Sequence, residues 1–235
     1  MYATWHVDSS YGDCSFNQMD SAEYKKRFDL LYDRLLGTTA TFHSWKALQD
    51  KAYEPIYNKS VYFWGATLIA LQNEWLLGLA KCFETSQFSE QDKVISVWSL
   101  LKNHPDPRRA SEAAVLLQKH RAMIDNLQVI RHHELAHLNA KHIANPTLLL
   151  QKFPITFGEI ESLLNDLPEL FSLLNPEAGN GYGLNNYTDE PGVEVRSLME
   201  KVRYFDRKMK EHMARFVAGE VDNPFFPEES APPTA

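Results

Sequence analysis

The sequence is poor in cysteine and has no excess of basic residues, and each of these absences excludes a class of protein. Only two cysteines, Cys14 and Cys82, occur in 235 residues, far apart, which excludes a disulfide-stapled scaffold and fits a reducing compartment. Acidic residues outnumber basic ones by 31 to 24, giving a formal net charge of −7. A protein that coats nucleic acid with its whole surface is therefore excluded, although a local cationic cleft is compatible with this charge.

The sequence shows neither the pattern expected of a secretory signal nor an uninterrupted membrane-spanning run. No positively charged segment followed by an apolar one opens the sequence. The longest apolar stretch, residues 61 to 83, could cross a bilayer by its length alone. Four polar residues interrupt this stretch: Gln72, Asn73, Glu74 and Lys81. We therefore predict a buried central helix in a cytoplasmic protein without membrane association, with Gly65 and Gly78 marking close helix contacts.

Apolar residues recur mainly at helical spacing, and we find neither an internal repeat nor a convincing pair of strands. These patterns predict an all-α protein, an antiparallel helical bundle around one core with an additional C-terminal helix. The predicted organisation is an irregular arm (1–19), the bundle (20–175), a loop (176–192), an amphipathic helix (193–220) and a flexible tail (221–235).

Capping residues and breakers predict several helix ends. Asp20 and Thr156, each followed three residues later by glutamate, are predicted to begin helices. Gly37 and the two threonines after it are expected to end the first helix, and a second is predicted from about residue 40 to 53. From residue 110 nothing breaks the helical pattern before Asn145-Pro146, although a local break near residues 128 to 131 is an alternative.

The densest chemistry lies in residues 130 to 142, which hold four of the nine histidines together with Arg131 and Glu134. One hypothesis is a zinc site of the His-Glu-x-x-His type, since His133 and His137 would share one helix face and Glu134 could polarise a bound water. A third ligand is missing at the usual spacing, because His142 follows His137 by five residues instead of six and no glycine lies between them.

The second hypothesis is an Arg-x5-His pair, Arg131 and His137, that acts on a phosphodiester. Metal-free RNA cleavage needs a group that moves a proton near neutral pH, which suits histidine, and a fixed cation near the phosphorane, which suits arginine. On a regular helix the two side chains point about 120° apart. They could therefore converge only through the reach of the arginine, a distorted turn or contributions from two subunits.

Three segments in this order resemble the HEPN-domain proteins, and most closely the abortive-infection U branch. They are an apolar helix from Tyr62 to Phe83, a short helix from Ile95 to Leu101, and Ile130-Arg131 leading into Leu135-Ala136-His137. The resemblance covers roughly residues 20 to 175. His132 stands where the family commonly has asparagine, and residues 138 to 141 lack the tyrosine found in branches that a partner nucleotidyltransferase silences.

The resemblance implies a metal-independent endoribonuclease, a toxin or antiviral effector that leaves a 2′,3′-cyclic phosphate, with the Arg-His pairs of two subunits facing one cleft. It assigns phosphate stabilisation to Arg131 and acid-base chemistry to His137. We count His132, at the position where the family commonly has asparagine, as a third candidate catalytic residue. No cofactor is expected. The partners expected are a second copy, an RNA substrate and, in toxin branches, an antitoxin.

We expect three further cations to contact RNA: Lys141, Arg203 and Arg207. The last two lie on the C-terminal helix, whose basic residues are interleaved with acidic ones, so a solvated amphipathic surface is the competing interpretation. A further alternative for the whole protein is a catalytically silent helical dimer that acts as an interaction module.

Overall fold

The computed structural model describes residues 19–84, 94–132, 154–177 and 190–221. Over these ranges the chain forms helices and turns and no strand, which confirms the all-α prediction. The helices are α1 (Ser21–Leu48), α2 (Glu54–Tyr57), α3 (Val61–Cys82), α4 (Val97–Lys102), α5 (Pro107–Gln118), α6 (Arg121–Ile130), α7 (Phe157–Leu174) and α8 (Glu190–Val217). None of these helices is both long and apolar enough to span a membrane.

Helix α1 is the centre of the bundle and packs chiefly on α3 and α8. It runs antiparallel to α7, because the Tyr24 hydroxyl near its start donates to the carbonyl of Leu174 at 2.9 Å, while the ring of Trp45 near its end lies 5.3 Å from that of Phe157. Arg109 at the start of α5 donates to the carbonyl of Asn175 just after α7, and His120 just after α5 contacts Asp166 nearer the start of α7, so this pair is antiparallel as well. The predicted antiparallel bundle is confirmed in these pairs.

Two apolar clusters hold the helices together. The larger one combines side chains of α1, α3, α4, α5, α6 and α7, including Phe28, Phe42, Trp75, Leu127 and Phe171. The smaller one, formed by Leu48, Tyr53, Ile56 and Met199, joins the end of α1 to α8, and the first half of α3 packs against it. The additional C-terminal helix therefore attaches to the bundle through a core of its own.

The predicted capping residues begin their helices, but the predicted break at Gly37 is wrong. The side chains of Asp20 and Thr156 accept hydrogen bonds from the backbone of Glu23 and Glu159. Helix α1 continues through Gly37 to Leu48, since the residues beyond it, among them Thr39 and Phe42, are buried in the bundle. Burial of this face outweighs the roughly 1 kcal/mol that a glycine costs inside a helix.

The long helix expected from residue 110 is in fact two helices. Helix α5 ends at Gln118 and α6 begins at Arg121. His120 lies between them, 6% exposed, with its Nε2 2.8 Å from Oδ2 of Asp166 on α7. No local breaker marks this position in the sequence, and the contact that His120 makes there is with a residue 46 positions away.

Helix α3 is only partly the buried helix that its composition predicts. In its second half Leu79, Ala80 and Cys82 are at most 1% exposed. In its first half Tyr62 is 95% exposed and Phe63 is 63% exposed. The expectation of a fully buried central helix is therefore wrong for the first half.

The two glycines of α3 also differ in how closely other helices pack around them. A Cβ at Gly78 would lie 2.4 Å from the Thr38 Oγ1 of α1, so the two helices approach closely there, as predicted. A Cβ at Gly65 would meet nothing within 4 Å among the described residues. The close contact predicted at Gly65 is therefore wrong, while Gly78 fixes the spacing of α1 and α3.

The predicted division of the chain into an arm, a bundle, a loop, a C-terminal helix and a tail stays a prediction. Helix α8 begins at Glu190 and ends at Val217, each three residues earlier than expected from the sequence. The predicted arm, apart from residue 19, and the predicted tail, apart from residue 221, lie outside the described residues, as does most of the predicted loop.

Candidate functional site

Arg131 lies where the ends of α6 and α3 meet. It directly follows α6, and its backbone N–H donates to carbonyl groups of the last turn of that helix. Its Nη1 is 2.7 Å from Oε1 of Glu84, which lies just beyond the end of α3, and the two side chains are 23% and 25% exposed. The backbone of Arg131 is therefore held by α6, while solvent can still reach its guanidinium.

Two hydrogen bonds fix the surroundings of this ion pair. Gln128, one turn before Arg131, donates from its side chain to the carbonyl of Ala80 at 2.6 Å and so ties α6 to α3. The Trp98 indole N–H donates to the carbonyl of Phe83 at 2.8 Å and holds the residue before Glu84. Both helix ends that carry the Arg131–Glu84 pair are therefore tied to the rest of the bundle.

The charge of Arg131 is balanced in this arrangement. An anionic ligand would have to exchange places with the Glu84 carboxylate, or share the guanidinium with it, and a guanidinium has enough donors for either. His132, the next residue, is exposed to solvent. Sequence reasoning missed Glu84, and its only signal is a carboxylate directly after a long apolar helix.

The remaining candidates of this stretch lie outside the described residues. They are His133, Glu134, His137, Lys141 and His142. The convergence of Arg131 with His137 therefore stays a prediction, and so does the zinc hypothesis. Among the residues that are described, no group of three side chains could hold a metal ion.

Arg203 and Arg207 lie at the opposite end of α3 from Arg131. They line a shallow cavity of about 390 Å³ together with Ala52, Pro55 and Ile56, which precede α3. Helix α3 has 22 residues and is therefore about 33 Å long. Within one protomer the structure does not bring these two arginines to Arg131.

The charges of α8 are largely compensated within the helix. Arg203 Nη1 is 2.9 Å from Glu200 Oε1, and Arg207 Nε is 4.0 Å from Glu211 Oε1. The guanidinium of Arg207 also lies over the ring of Tyr204, 5.7 Å from its centre. Such pairing within one helix is typical of a solvated amphipathic surface, which is the interpretation that competes with an RNA contact.

A second polar cavity, of about 270 Å³, lies between α1 and α3. Arg34 and Lys81 line it together with Asp33 and Glu74, so its formal charges cancel. The close approach of Thr38 and Gly78 forms part of its wall. The balanced charge gives this cavity no preference for an anion.

Two other potentially reactive side chains among the described residues, Cys82 and His104, are buried in the bundle. Burial raises the pKa of the Cys82 thiol to about 12, against the opposing effect of Arg34, so Cys82 is no nucleophile near neutral pH. Burial also lowers the pKa of His104, whose Nδ1 lies 2.8 Å from the carbonyl oxygen of Asp106. Cys82 is thus a small buried hydrophobic residue.

Comparison with known families decides the class of this bundle. The profile of the AbiU2 family of HEPN domains matches residues 21–190, which is more than half of the chain. The chain belongs to the AbiU2 family of HEPN proteins. No curated protein and no solved structure gives a significant match.

Membership in the AbiU2 family confirms the resemblance seen in the sequence and supports a defence-type HEPN function in general terms. The matched segment includes Arg131, His132, His137 and Lys141, and it ends before Arg203 and Arg207. The arginines on α8 are thus separated from Arg131 both in the fold and in the extent of the family match.

Proposed function

We propose that this AbiU2-family protein is a metal-independent endoribonuclease that serves as a toxin or antiviral effector. The observation that carries the proposal is the position of Arg131. It is a partly exposed cation, fixed at the junction of α3 and α6, and the family match that contains it also contains His137.

In the proposed reaction the 2′-hydroxyl of a ribose attacks the adjacent phosphorus and the bond to the 5′-oxygen breaks. The products are a 2′,3′-cyclic phosphate and a free 5′-hydroxyl. His137 removes the proton of the 2′-hydroxyl or protonates the leaving oxygen, and both tasks suit a group that titrates near neutrality. Arg131 donates to the phosphoryl oxygens, where negative charge develops.

In this reaction Glu84 competes with the RNA for Arg131. A phosphate that binds Arg131 must compete with the Glu84 carboxylate, now 2.7 Å away. The ion pair keeps the guanidinium in position before the RNA arrives, at the expense of some affinity for phosphate. His132 is proposed to support the site from the adjacent position, and Lys141, Arg203 and Arg207 to contact the RNA backbone.

The proposed active form is a homodimer in which two Arg131–His137 pairs face one cleft. Two subunits would bring Arg131 and His137 together even though a regular helix would hold the two side chains about 120° apart. The chain is already π-helical, not α-helical, at residues 131 and 132. The proposal places the enzyme in the cytoplasm, where its RNA substrates are, and includes an antitoxin partner for a toxin role.

The test is RNA cleavage in the presence of a chelator. Purified protein is incubated with tRNA and mRNA in EDTA, and the fragment ends are analysed for 2′,3′-cyclic phosphate. We expect the wild type to cleave and His137→Ala to be inactive. His142→Ala, a nearby histidine outside the Arg-x5-His pair, is the matched control and should retain activity.

Two other outcomes would replace the proposal. If the wild type cleaves none of a range of RNAs, the catalytically silent helical dimer becomes the better hypothesis. If the purified protein contains stoichiometric zinc that is lost in His133→Ala, the zinc hydrolase with His133, Glu134 and His137 replaces the nuclease.

A further inference from the structure

The first half of α3 presents an apolar surface that no other described part of the chain covers. At about 100° per residue, six of the exposed side chains occupy one arc of the helix about 120° wide, which is the width of a stripe that normally faces a protein core, and the exposed Val61, Gln72 and Glu74 flank it. We define the α3 face by six exposed residues: Tyr62, Phe63, Ala66, Ile69, Ala70 and Asn73. Tyr62, Phe63 and Ile69 are 95%, 63% and 60% exposed.

The opposite side of the same half is packed. Trp64, Leu68 and Leu71 lie against the smaller apolar cluster, and the ring of Trp64 is 5.1 Å from that of Tyr57. Further along, Trp75 is 2% exposed. The helix is therefore held in place from behind, so the α3 face is a fixed surface and not the result of a poorly docked helix.

The α3 face has the size of an interface centre. Its two aromatic side chains, of about 150–250 Å² each, together with Ile69 expose roughly 400–500 Å². That is close to the largest apolar patch of a typical monomer, which is often functional. A stable interface buries about 800 Å² on each partner, commonly with an apolar centre and a polar rim. The α3 face supplies such a centre, with the exposed Gln72 and Glu74 beside it.

The absence of charge on this surface favours an uncharged protein surface as its occupant. From Val61 to Asn73 the sequence contains no charged residue. A nucleic acid or a membrane surface would need cations that the face does not have. A second copy needs none, because a two-fold interface brings a surface against itself and an uncharged surface meets no like charge and desolvates no unpaired ion.

The shape of the α3 face is also compatible with its own copy. The small Ala66 and Ala70 lie between the bulky Tyr62, Phe63 and Ile69, so the surface has both protrusions and a depression. We propose that the α3 face binds the α3 face of a second copy. This inference rests on the homodimer of the proposed function and deepens it by naming its contact surface. Because Arg131 lies at the far end of α3, the two α3 helices run in the same direction in this dimer, so that both copies of Arg131 lie at the same end.

Oligomeric state tests the proposal without reference to RNA cleavage. The full chain is examined by sedimentation equilibrium as wild type, as Ile69→Lys and as Val115→Lys. Val115 is a matched control, because it is an exposed apolar residue on α5, 68% exposed and outside the α3 face. We expect a wild-type dimer, an increase of roughly 30-fold in the dissociation constant for Ile69→Lys, and no change for Val115→Lys.

Cross-linking tests which surfaces meet. In a Cys14→Ser background, where Cys82 is fully buried, Ala66→Cys should form a disulfide-linked dimer under mild oxidation. Val115→Cys should not. When unfolded in urea, each variant should react with two equivalents of maleimide, one at Cys82 and one at the introduced cysteine, which confirms that the introduced thiol is present.

Three results would overturn the proposal. One is a wild-type dimer that Ile69→Lys leaves intact. Another is a monomeric Ala66→Cys variant whose introduced thiol reacts freely with maleimide, since the face is then open. The third is a monomeric Ala66→Cys variant whose introduced thiol is protected, since a segment of the same chain then covers it. None of these results depends on RNA cleavage, so a failed dimer and a failed nuclease can be told apart.

Discussion

The two halves of α3 are similarly apolar in sequence and differ in what they contact. The second half lies in the main core, where Leu79 is 1% exposed, and leads to Glu84 and Arg131. The first half packs on one side only among the described residues and leaves the α3 face exposed. A continuous apolar helix therefore indicates how much surface must be buried, but not whether the same chain buries it.

The largest expected difference between the halves concerns stability. Leu79→Ala should lower the free energy of unfolding by about 2–5 kcal/mol, because it leaves a cavity in the core. Ile69→Ala should change it by less than about 0.5 kcal/mol in the monomer, because Ile69 is exposed. Urea denaturation at protein concentrations that favour the monomer measures both. Similar losses in the two variants would mean that the first half is buried after all.

The two ends of α3 should differ in their effect on catalysis. Arg131→Ala should reduce RNA cleavage about 100- to 1,000-fold, because it removes the cation expected at the developing charge. Arg203→Ala, at the other end, should reduce it only a few-fold, because this arginine is paired with Glu200. Single-turnover rates measured with excess enzyme provide the comparison. A comparable loss in Arg203→Ala would show that α8 belongs to the active site.

The two glycines of α3 should respond with opposite signs. Gly78→Ala should destabilise the protein by about 1–3 kcal/mol, because the new Cβ would meet Thr38. Gly65→Ala should stabilise it by about 0.5–1 kcal/mol, because alanine is the better helix former and the space is open. Thermal unfolding of the two variants tests this contrast, and a loss of stability in Gly65→Ala would contradict the described surroundings of that residue.

The smallest expected effect concerns RNA affinity. In a His137→Ala background, which prevents cleavage, Glu84→Gln should tighten RNA binding several-fold, because the phosphate no longer competes with a carboxylate for Arg131. Glu74→Gln, on the same helix and lining the neutral cavity, is the matched control for the loss of one negative charge. Fluorescence anisotropy with labelled RNA measures both. Equal tightening would indicate a general charge effect.

Local signals predicted the helix starts well. Asp20 and Thr156 cap their helices as expected, since a cap depends on residues within one turn. The sequence misled at Gly37, where burial of the following residues keeps the helix intact, and near His120, where contact with Asp166 accompanies the division between α5 and α6. Both errors concern contacts between residues far apart in the chain.

In the candidate site, too, the residues recognisable from local sequence differ from those that depend on distant contacts. Arg131 was recognisable from its spacing to His137 and from the family resemblance. Its partner Glu84 was not, because 47 positions separate the two in the sequence and no pattern links them. The distance of Arg203 and Arg207 from Arg131 was equally hidden, since it depends on the length of α3 and on which end of that helix α8 packs against.

The sequence by itself determined that this chain is helical, where several of its helices begin, and which stretch carries arginine and histidine. Those properties follow from backbone propensity, side-chain periodicity and residue chemistry, all of which act over a few positions. Only the tertiary structure decided that one half of α3 is buried and one face of the other is exposed, and that Arg131 is held by Glu84. These features depend on which helices pack together, because burial and ion pairing require partners that folding brings from distant parts of the chain.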